Sequence, residues 1–124
     1  MELTEKIKHP IIYISLPMGG HEDTVRKRYD DAVLELKEIY SKIPIEITGP
    51  CNMNNFDHNG IITPRDHDWA WYMGEDAKDL LRSDIIFLTK GWQNSKGCVV
   101  EKAMAEAMKM PVIYSKHAIE NAEL

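Results

Sequence analysis

The sequence predicts a doubly wound α/β fold: one Rossmann/flavodoxin-like domain with a parallel sheet of four to five strands. Short continuous apolar runs, such as IIYIS and IIFL, are typical of strands that are buried on both faces. Segments with helical periodicity separate these runs, and polar loops containing glycine follow them. The resulting order, β-α-β-loop-α-β-α-β, predicts parallel strands joined by helical crossovers.

The composition is that of a single globular domain over residues 1–124, with 44% hydrophobic and 28% charged residues. Fifteen Lys and Arg oppose 20 Asp and Glu, and this net charge of −5 argues against binding to a nucleic-acid polymer. The N-terminus is too charged for a signal peptide, and no apolar run approaches the ~18 residues of a membrane span. With two cysteines and no disulfide framework, we expect a cytoplasmic protein that has no membrane partner.

The first half of the chain contains a strand, a helix and a second strand. Residues 10–15 form the first apolar run, and two glycines occur in the turn at 16–20. Caps and first-turn acids from His21 onward predict a helix over 22–42. Its predicted inward stripe, spaced three and four apart, is Val25, Tyr29, Ala32, Val33, Leu36, Ile39 and Tyr40. Residues 43–48 form the second predicted strand.

A polar, Asn-rich loop at 51–64 separates the two halves of the chain, and loops of this length are usually functional or mobile. A helix is predicted over 68–82, with Asp66 or Asp68 as its N-cap. Residues 115–124 are predicted to form a short polar tail.

The next stretch is a complete crossover unit. It begins with a strand at 85–88 and continues through a polar loop at 91–97 into a helix at 98–110. Pro111 ends this helix, and residues 112–114 form the last strand.

Ligands of doubly wound sheets bind at the carboxyl ends of the strands, so the polar residues there are candidates for a site. At the first strand these are Tyr13, Ser15, Gly19, Gly20, His21 and Asp23, and at the third they are Trp92, Asn94, Ser95, Gly97 and Glu101. Glycines before a helix let backbone N–H groups approach an anion, although the pattern matches neither GxGxxG nor GxxxxGK(S/T). A plain tight turn is the alternative.

Glu101 is the residue that packing alone explains least well. It shares a helical stripe with Met104, Ala105 and Met108, which predicts that its carboxylate points toward the sheet. A buried carboxylate must be paired with a cation, hydrogen-bonded, or involved in binding or catalysis, because burying it alone is costly. The helix N-terminus, with Ser95 as its cap, favours the ionised form, which suits a nucleophile. The alternative is a rim residue that caps its own helix.

Asp76 is a second acid with an inward spacing. It lies three residues after Met73 and four before Leu80, whereas Asp79 lies nearer the edge of the same stripe. Solvated surface acids are the alternative for both. Asp84, at the start of the third strand, is predicted to orient neighbouring backbone and is assigned a structural role.

We predict neither a metal nor a cofactor. The spacing of His58, His67, Asp57 and Asp66 matches no zinc or two-metal pattern. An aromatic cluster of Trp69, Trp71 and Tyr72 is interpreted as core or interface, with stacking of one member on a base as the alternative.

Two motifs resemble the nucleoside 2-deoxyribosyltransferase-like superfamily, which includes deoxyribosyltransferases and 2'-deoxynucleoside 5'-monophosphate N-hydrolases. The first motif, YISLPMGGHED, begins in the first strand and continues through the turn that follows it. The second, NSKGCVVE, follows the third strand, and an Asp in the helix before the third strand belongs to the same pattern. The resemblance covers about residues 10–114. It implies N-glycosidic bond cleavage in a nucleoside or nucleotide, by hydrolysis or by base transfer.

The resemblance also implies roles for individual residues. Glu101 matches the nucleophile that attacks C1', Asp76 an acid that assists proton transfer or holds the sugar, and Tyr13 a tyrosine near both. The loop at Ser95 and Gly97, together with Gly19 and Gly20, matches the part that holds the 5' group. A homo-oligomer is implied, because a neighbouring subunit often completes such sites.

The chain departs from this family in its first turn, where Met18 and His21 stand in place of phosphate-binding arginines. The loop at 51–64 also differs and is expected to shape the base pocket. Two alternative functions follow. One is a non-catalytic nucleotide-binding or sensing module, and the other is a glycohydrolase of an NAD-like nucleotide.

Overall fold

The computed structural model describes residues 9–62 and 67–120, and it confirms the predicted doubly wound α/β class. The elements, in chain order, are β1 (Ile11–Ser15), α1 (Glu22–Ile39), β2 (Glu46–Thr48), α2 (Trp69–Leu81), β3 (Ile85–Leu88), a 3₁₀ turn (Trp92–Asn94), α3 (Lys96–Ala107), β4 (Val112–Tyr114) and α4 (Lys116–Glu120). Asp66, the end of the predicted loop at 63–64 and the last residues of the predicted tail lie outside the described residues.

The sheet has the strand order β2-β1-β3-β4, and all its pairs are parallel. Tyr13 of β1 pairs with Thr48 on one side and with Ile86 on the other. The chain therefore changes direction across the sheet between β1 and β3, which is where ligands bind in doubly wound folds. Asp84 has the structural role that the sequence predicted, because its carboxylate accepts a hydrogen bond of 2.8 Å from the Ile11 amide.

Alternation along the strands divides the core between the two faces of the sheet. On one face α1 packs against β1 and β3, and the buried cluster includes Ile12, Ile14, Leu36 and Phe87. On the other face α2 and α3 pack over Tyr13, Ile86, Leu88, Leu80 and Ala105. Tyr13 and Ser15, two residues apart, therefore point toward α2 and α3 rather than toward α1.

Two predicted elements in the first half are longer than those observed. Helix α1 ends at Ile39 instead of residue 42, and the Ile39 side chain is 52% exposed, outside the inward stripe. The second strand begins at Glu46 instead of residue 43. Pro44 has no N–H to donate to a strand ladder, and the ladder starts only when the Glu46 amide donates to Pro10 O at 2.9 Å.

The helix of the crossover unit begins and ends earlier than predicted. Ser95 is the N-cap, as predicted, and its hydroxyl accepts from the Cys98 amide at 3.3 Å, so α3 starts at Lys96. It ends at Ala107 because Lys109 adopts a left-handed φ of 58°, which stops the helix. Met108 was predicted to lie on the inward stripe and is 62% exposed instead.

The first part of the Asn-rich loop is folded onto the start of α1. Asp57 Oδ1 accepts from the Asn59 and Ile61 amides, which closes an Asx turn, and Ile61 forms an isolated bridge with His21. At the tip of the turn Gly60 has a φ of 78°, and a side chain there would collide with the His21 ring. This close approach explains the glycine at that position.

No helix within residues 9–62 and 67–120 combines the length and the apolar character needed to cross a membrane.

Candidate active site

A cavity of about 320 Å³ lies beside the carboxyl ends of β1 and β3, where a doubly wound sheet binds its ligands. The turn after β1, the loop after β2, and the first parts of α2 and α3 form its walls. The lining residues are Leu16, Met18, Gly19, Pro50, Asn52, Ile62, Trp69, Tyr72, Met73, Asp76, Ser95, Lys96, Gly97, Cys98 and Glu101. Both predicted acids therefore face the same cavity.

Glu101 is 3% exposed and is held by two hydroxyl groups of β1. The Tyr13 phenol donates to Glu101 Oε2 at 2.7 Å, and the Ser15 hydroxyl donates to Oε1 at 2.7 Å. Each carboxylate oxygen thus has one short hydrogen bond, a pattern that stabilises the ionised form. Glu101 has no ion pair among the residues that the structure describes.

Burial nevertheless raises the pKa of Glu101 from 4.5 to about 7. The hydrogen bonds from Ser15 and Tyr13 lower this pKa, and the charge of Asp76 raises it, but the loss of solvent is the largest influence. The helix N-terminus contributes little to the ionised form at this position. Glu101 is the sixth residue of α3, and the effect of the helix dipole fades within the first turn.

The pKa of Tyr13 is raised far above its ordinary value, first by burial and then by the charge of Glu101. The phenol consequently stays protonated at neutral pH and can donate to Glu101 whenever the carboxylate is ionised. Tyr13 is fully buried and lies behind Glu101, where it orients the carboxylate without lining the cavity itself.

Asp76 is 6% exposed and is anchored to the loop that follows β2. Its Oδ1 accepts from the Cys51 amide at 2.8 Å. Burial raises the pKa of Asp76, and the hydrogen bonds from Cys51 oppose that rise. Burial, followed by the hydrogen bond to Asp76, raises the pKa of the Cys51 thiol to about 12, so this thiol stays protonated at neutral pH.

The predicted substrate-binding residues divide into two groups. Gly19, Ser95 and Gly97 line the cavity, and Ser15 reaches it through its hydrogen bond to Glu101. Gly20, His21, Asp23, Trp92 and Asn94 are not among its lining residues.

The second group has other contacts. His21 caps α1, where its Nδ1 accepts from the Asp23 amide at 3.2 Å, and the Asp23 side chain is 92% exposed. Trp92 and Asn94 belong to a 3₁₀ turn that the sequence did not predict. The Trp92 ring lies 5.8 Å from the Tyr114 ring, so it packs against β4 instead of facing the cavity.

Sequence reasoning did not assign Asn52 or Met73 to the site, and it left Trp69 as one member of an aromatic cluster; the Lys96 amide was considered for a phosphate or hydroxyl group, and Lys96 does line the cavity. A signal for Trp69 was present, because Trp69, Met73, Asp76 and Leu80 are spaced four, three and four apart along α2. The Trp69 ring is 53% exposed although it lines the cavity, and Lys96 Nζ lies 5.4 Å from its centre. Nothing in the sequence pattern singles out Asn52.

Between residues 9 and 62 and between 67 and 120, no group of three or more His, Cys, Asp or Glu side chains is arranged to hold a metal ion. The cavity offers instead two buried carboxylates, hydroxyl donors, an exposed indole and one ammonium group. This set can supply a nucleophile, a proton donor and an aromatic surface for a flat ligand.

Fold and cavity together define a small doubly wound α/β protein with a buried Glu and a buried Asp facing one ligand-sized cavity at the switch point of its sheet. A family model described as "Domain of unknown function (DUF4406)" matches residues 10–114, and the chain belongs to this family. None of the curated proteins matches the chain. The description of the family names no activity.

Proposed function

We propose that this protein cleaves the N-glycosidic bond of a nucleoside or nucleotide, by hydrolysis or by base transfer. The observation that carries the proposal is the buried Glu101, whose carboxylate is held by Tyr13 and Ser15 at 2.7 Å each and faces the same cavity as Asp76. The resemblance of the motifs around these residues to the nucleoside 2-deoxyribosyltransferase-like superfamily supports the same reaction.

In the first step an oxygen of ionised Glu101 attacks C1' of the sugar and forms a glycosyl ester. The bond from C1' to the base nitrogen breaks, and its electron pair stays on the base. Asp76, in its protonated form, donates a proton to the departing base. Positive charge that develops on the sugar in the transition state is stabilised by the Glu101 carboxylate.

In the second step the ester is cleaved. Asp76, now ionised, accepts a proton from a water molecule or from a second base, which attacks C1' and frees the Glu101 carboxylate. Water gives hydrolysis, and a base gives transfer. Burial raises the pKa of Asp76, which favours the protonated form that the first step requires.

The cavity supports a ligand of this class. Its volume of about 320 Å³ falls within the range of small-molecule sites. Ser95, Gly97 and Gly19 line it at the start of α3 and at the turn after β1, where backbone amides and hydroxyls suit the 5' group. The proposal includes a homo-oligomer, as the resemblance implies, and a cytoplasmic location, as the composition and the two cysteines suggest.

One arginine, Arg28, is bound to the turn after β1. Arg28 Nη1 donates to Pro17 O at 3.0 Å and to Gly19 O at 3.3 Å, so it fixes the turn after β1. Among the described residues that line the cavity, Lys96 is the one cationic side chain. Nucleosides therefore belong in the test beside their 5'-monophosphates.

The test is incubation with a panel of nucleosides, 5'-nucleotides and NAD, with free base measured by chromatography. We expect the wild type to release base and Glu101→Gln to be slower by about 10³-fold or more, because the nucleophile is lost. Glu106→Gln is the matched control. Glu106 lies on the same helix, and its exposed carboxylate pairs with Lys102 at 2.9 Å.

Undiminished base release by Glu101→Gln would overturn the assignment of the nucleophile. Tight binding of a nucleotide by the wild type, with no base released on long incubation, would favour the binding module over the enzyme.

A further inference from the structure

Asp76 and Cys51 are joined at the wall of the cavity. Asp76 is 6% exposed and lines the cavity, and its Oδ1 accepts from the Cys51 amide at 2.8 Å. Within residues 9–62 and 67–120, this amide is the one backbone group that donates to the Asp76 carboxylate. In a protonated acid the oxygen that accepts from an amide is the carbonyl oxygen, so the proton of Asp76 lies on Oδ2.

The thiol of Cys51 has two acceptors on helix α2. Its Sγ lies 3.9 Å from Tyr72 O, and it is also within hydrogen-bonding reach of the Asp76 carboxylate, about one turn further along the helix. A thiol has a single proton and cannot donate to both acceptors at once. While Asp76 is protonated, the Tyr72 carbonyl can accept the thiol proton. Once Asp76 is ionised, its charged carboxylate is the stronger acceptor.

The Cys51 side chain keeps the proton that it would donate. Burial, followed by the hydrogen bond to Asp76 and by the charges of Asp76, Glu75 and Asp79, raises the pKa of the thiol to about 12. Nucleophilic and redox chemistry need the thiolate, which is scarce at neutral pH when the pKa is this high. The environment of Cys51 therefore suits a hydrogen-bond donor and not a reactive thiol.

In the proposed reaction Asp76 has two opposite requirements. It must hold its proton before the base leaves, and it must be stable as an anion afterwards. Burial meets the first requirement, because it raises the pKa of Asp76. The hydrogen bonds from the Cys51 amide and thiol lower this pKa, which meets the second.

The other charged and titratable groups around Asp76 do not stabilise its anion. Asp79 and Glu75, on the same helix, raise its pKa through their charges, and Glu101 of α3 is a further acid. Tyr13 of β1 donates to Glu101 at 2.7 Å. Among the residues that the structure describes, Cys51 is therefore the one that donates to the Asp76 carboxylate.

We propose that Cys51 is a positioning residue for Asp76. Its amide holds Oδ1, so that Oδ2 carries the proton that the base receives, and its thiol then turns from Tyr72 O to the ionised carboxylate. The inference rests on the proposed function for the role of Asp76 as the acid. The proton that Oδ2 loses is the one that the base gains. The thiol proton stays on Cys51 throughout, and no bond to sulfur forms or breaks.

The experiment compares Cys51→Ala, which removes the thiol donor, with Cys51→Ser, which puts a hydroxyl donor in its place. Both changes are made in Glu101→Gln, where no neighbouring carboxylate of α3 titrates together with Asp76. NMR of the Asp76 carboxyl carbon then follows its ionisation against pH. We expect Cys51→Ala to move the midpoint of this titration to higher pH by about half a unit, and Cys51→Ser to leave it at or below that of Glu101→Gln.

Asn59→Ala, an exposed change in the same loop, is the control and should leave the midpoint where it is in Glu101→Gln. An unchanged midpoint in Cys51→Ala overturns the proposal. A rise of the same size in Cys51→Ala and Cys51→Ser also overturns it, because the cause would then be altered packing and not a lost donor.

Turnover separates failure of the inference from failure of the proposed function. With Glu101 intact, Cys51→Ala should slow the release of a natural base by about two- to threefold, because Asp76 becomes a weaker acid. It should not slow the first turnover of a p-nitrophenyl deoxyriboside, whose leaving group needs no proton. Equal slowing on both substrates overturns the role of Cys51 and leaves the proposed cleavage standing. Absence of base release from the wild type overturns the proposed function, while the titration still decides whether Cys51 stabilises ionised Asp76.

Discussion

Replacing Glu101 with Gln should stabilise the protein at neutral and alkaline pH, although it removes the proposed nucleophile. Gln has nearly the same shape, and the hydroxyl groups of Tyr13 and Ser15 can either donate or accept, so both hydrogen bonds can persist. The substitution changes mainly the charge of a side chain that is 3% exposed.

The magnitude follows from the pKa of Glu101. A rise from 4.5 to about 7 on folding means that the native state holds a proton that the unfolded chain has released. Stability from this group is therefore fully present below about pH 4.5 and is lost progressively as the pH rises to about 7. The total loss corresponds to about 3 kcal/mol, and Gln does not incur it because it never ionises.

The assay is urea denaturation of the wild type and Glu101→Gln from pH 4 to pH 8. We expect the difference in unfolding free energy to grow by about 3 kcal/mol in favour of the variant across this range. Glu106→Gln, at an exposed position of the same helix, should show no such growth. If the advantage of Glu101→Gln over the wild type is the same at both ends of the range, burial does not raise the pKa of Glu101.

Three further predictions concern the same site and the core. If ionised Glu101 is the nucleophile, kcat/KM falls as the pH drops below about 7. Tyr13→Phe removes a hydrogen bond that lowers the pKa of Glu101, so it should move this acidic limb of the pH profile to higher pH. An acidic limb at the same pH in the variant contradicts the prediction. Asp76→Asn should slow the release of a natural base by about 10²- to 10⁴-fold but hardly slow the first turnover of a p-nitrophenyl deoxyriboside, measured as a burst of p-nitrophenolate, because that leaving group needs no proton; equal losses on both substrates in the first turnover would argue against the acid role. Leu36→Ala, at a fully buried position of α1, should lower the unfolding free energy by about 2–5 kcal/mol, whereas Leu34→Ala, at a position 61% exposed, should change it little in the same denaturation assay.

Local patterns in the sequence were enough to predict the strands and the two acids, Glu101 and Asp76, that point toward the sheet. The predicted bounds of β3 and β4 are those of the structure, because short apolar runs bounded by polar residues leave little choice of limits. Helical periodicity also brought Glu101 and Asp76 to the sheet side, and both are buried. This outcome depends only on neighbours within a turn or two of each residue.

Of the site residues predicted at the end of β1, some reach the cavity and others do not, for a reason that involves the whole fold. Alternation along β1 turns Tyr13 and Ser15 toward α2 and α3, where the cavity lies. Helix α1, which follows directly, packs on the opposite face of the sheet. His21 and Asp23 at its start therefore follow α1 away from the cavity. Residue types at a strand end could not reveal this, because the choice of face is made by packing.

Long-range contacts placed the loop after β2, and no sequence pattern predicted them. The Cys51 amide reaches Asp76, 25 residues later in the chain. The Asn55 amide group reaches Tyr72, 17 residues later. A polar loop has no periodicity from which such pairings could be inferred, so Asn52 emerged only from the three-dimensional arrangement.

The way in which Glu101 is stabilised bears on the chemistry proposed for it. A lysine or arginine beside the carboxylate would keep it fully ionised, but that cation would also repel the positive charge that develops on the sugar. Hydroxyl groups orient the carboxylate without adding a charge. The pKa of about 7 is the consequence, since no cation among the described residues offsets the burial. In the proposed reaction the transition state itself supplies the missing positive charge, so Glu101 interacts more strongly with the transition state than with the ground state, as catalysis requires.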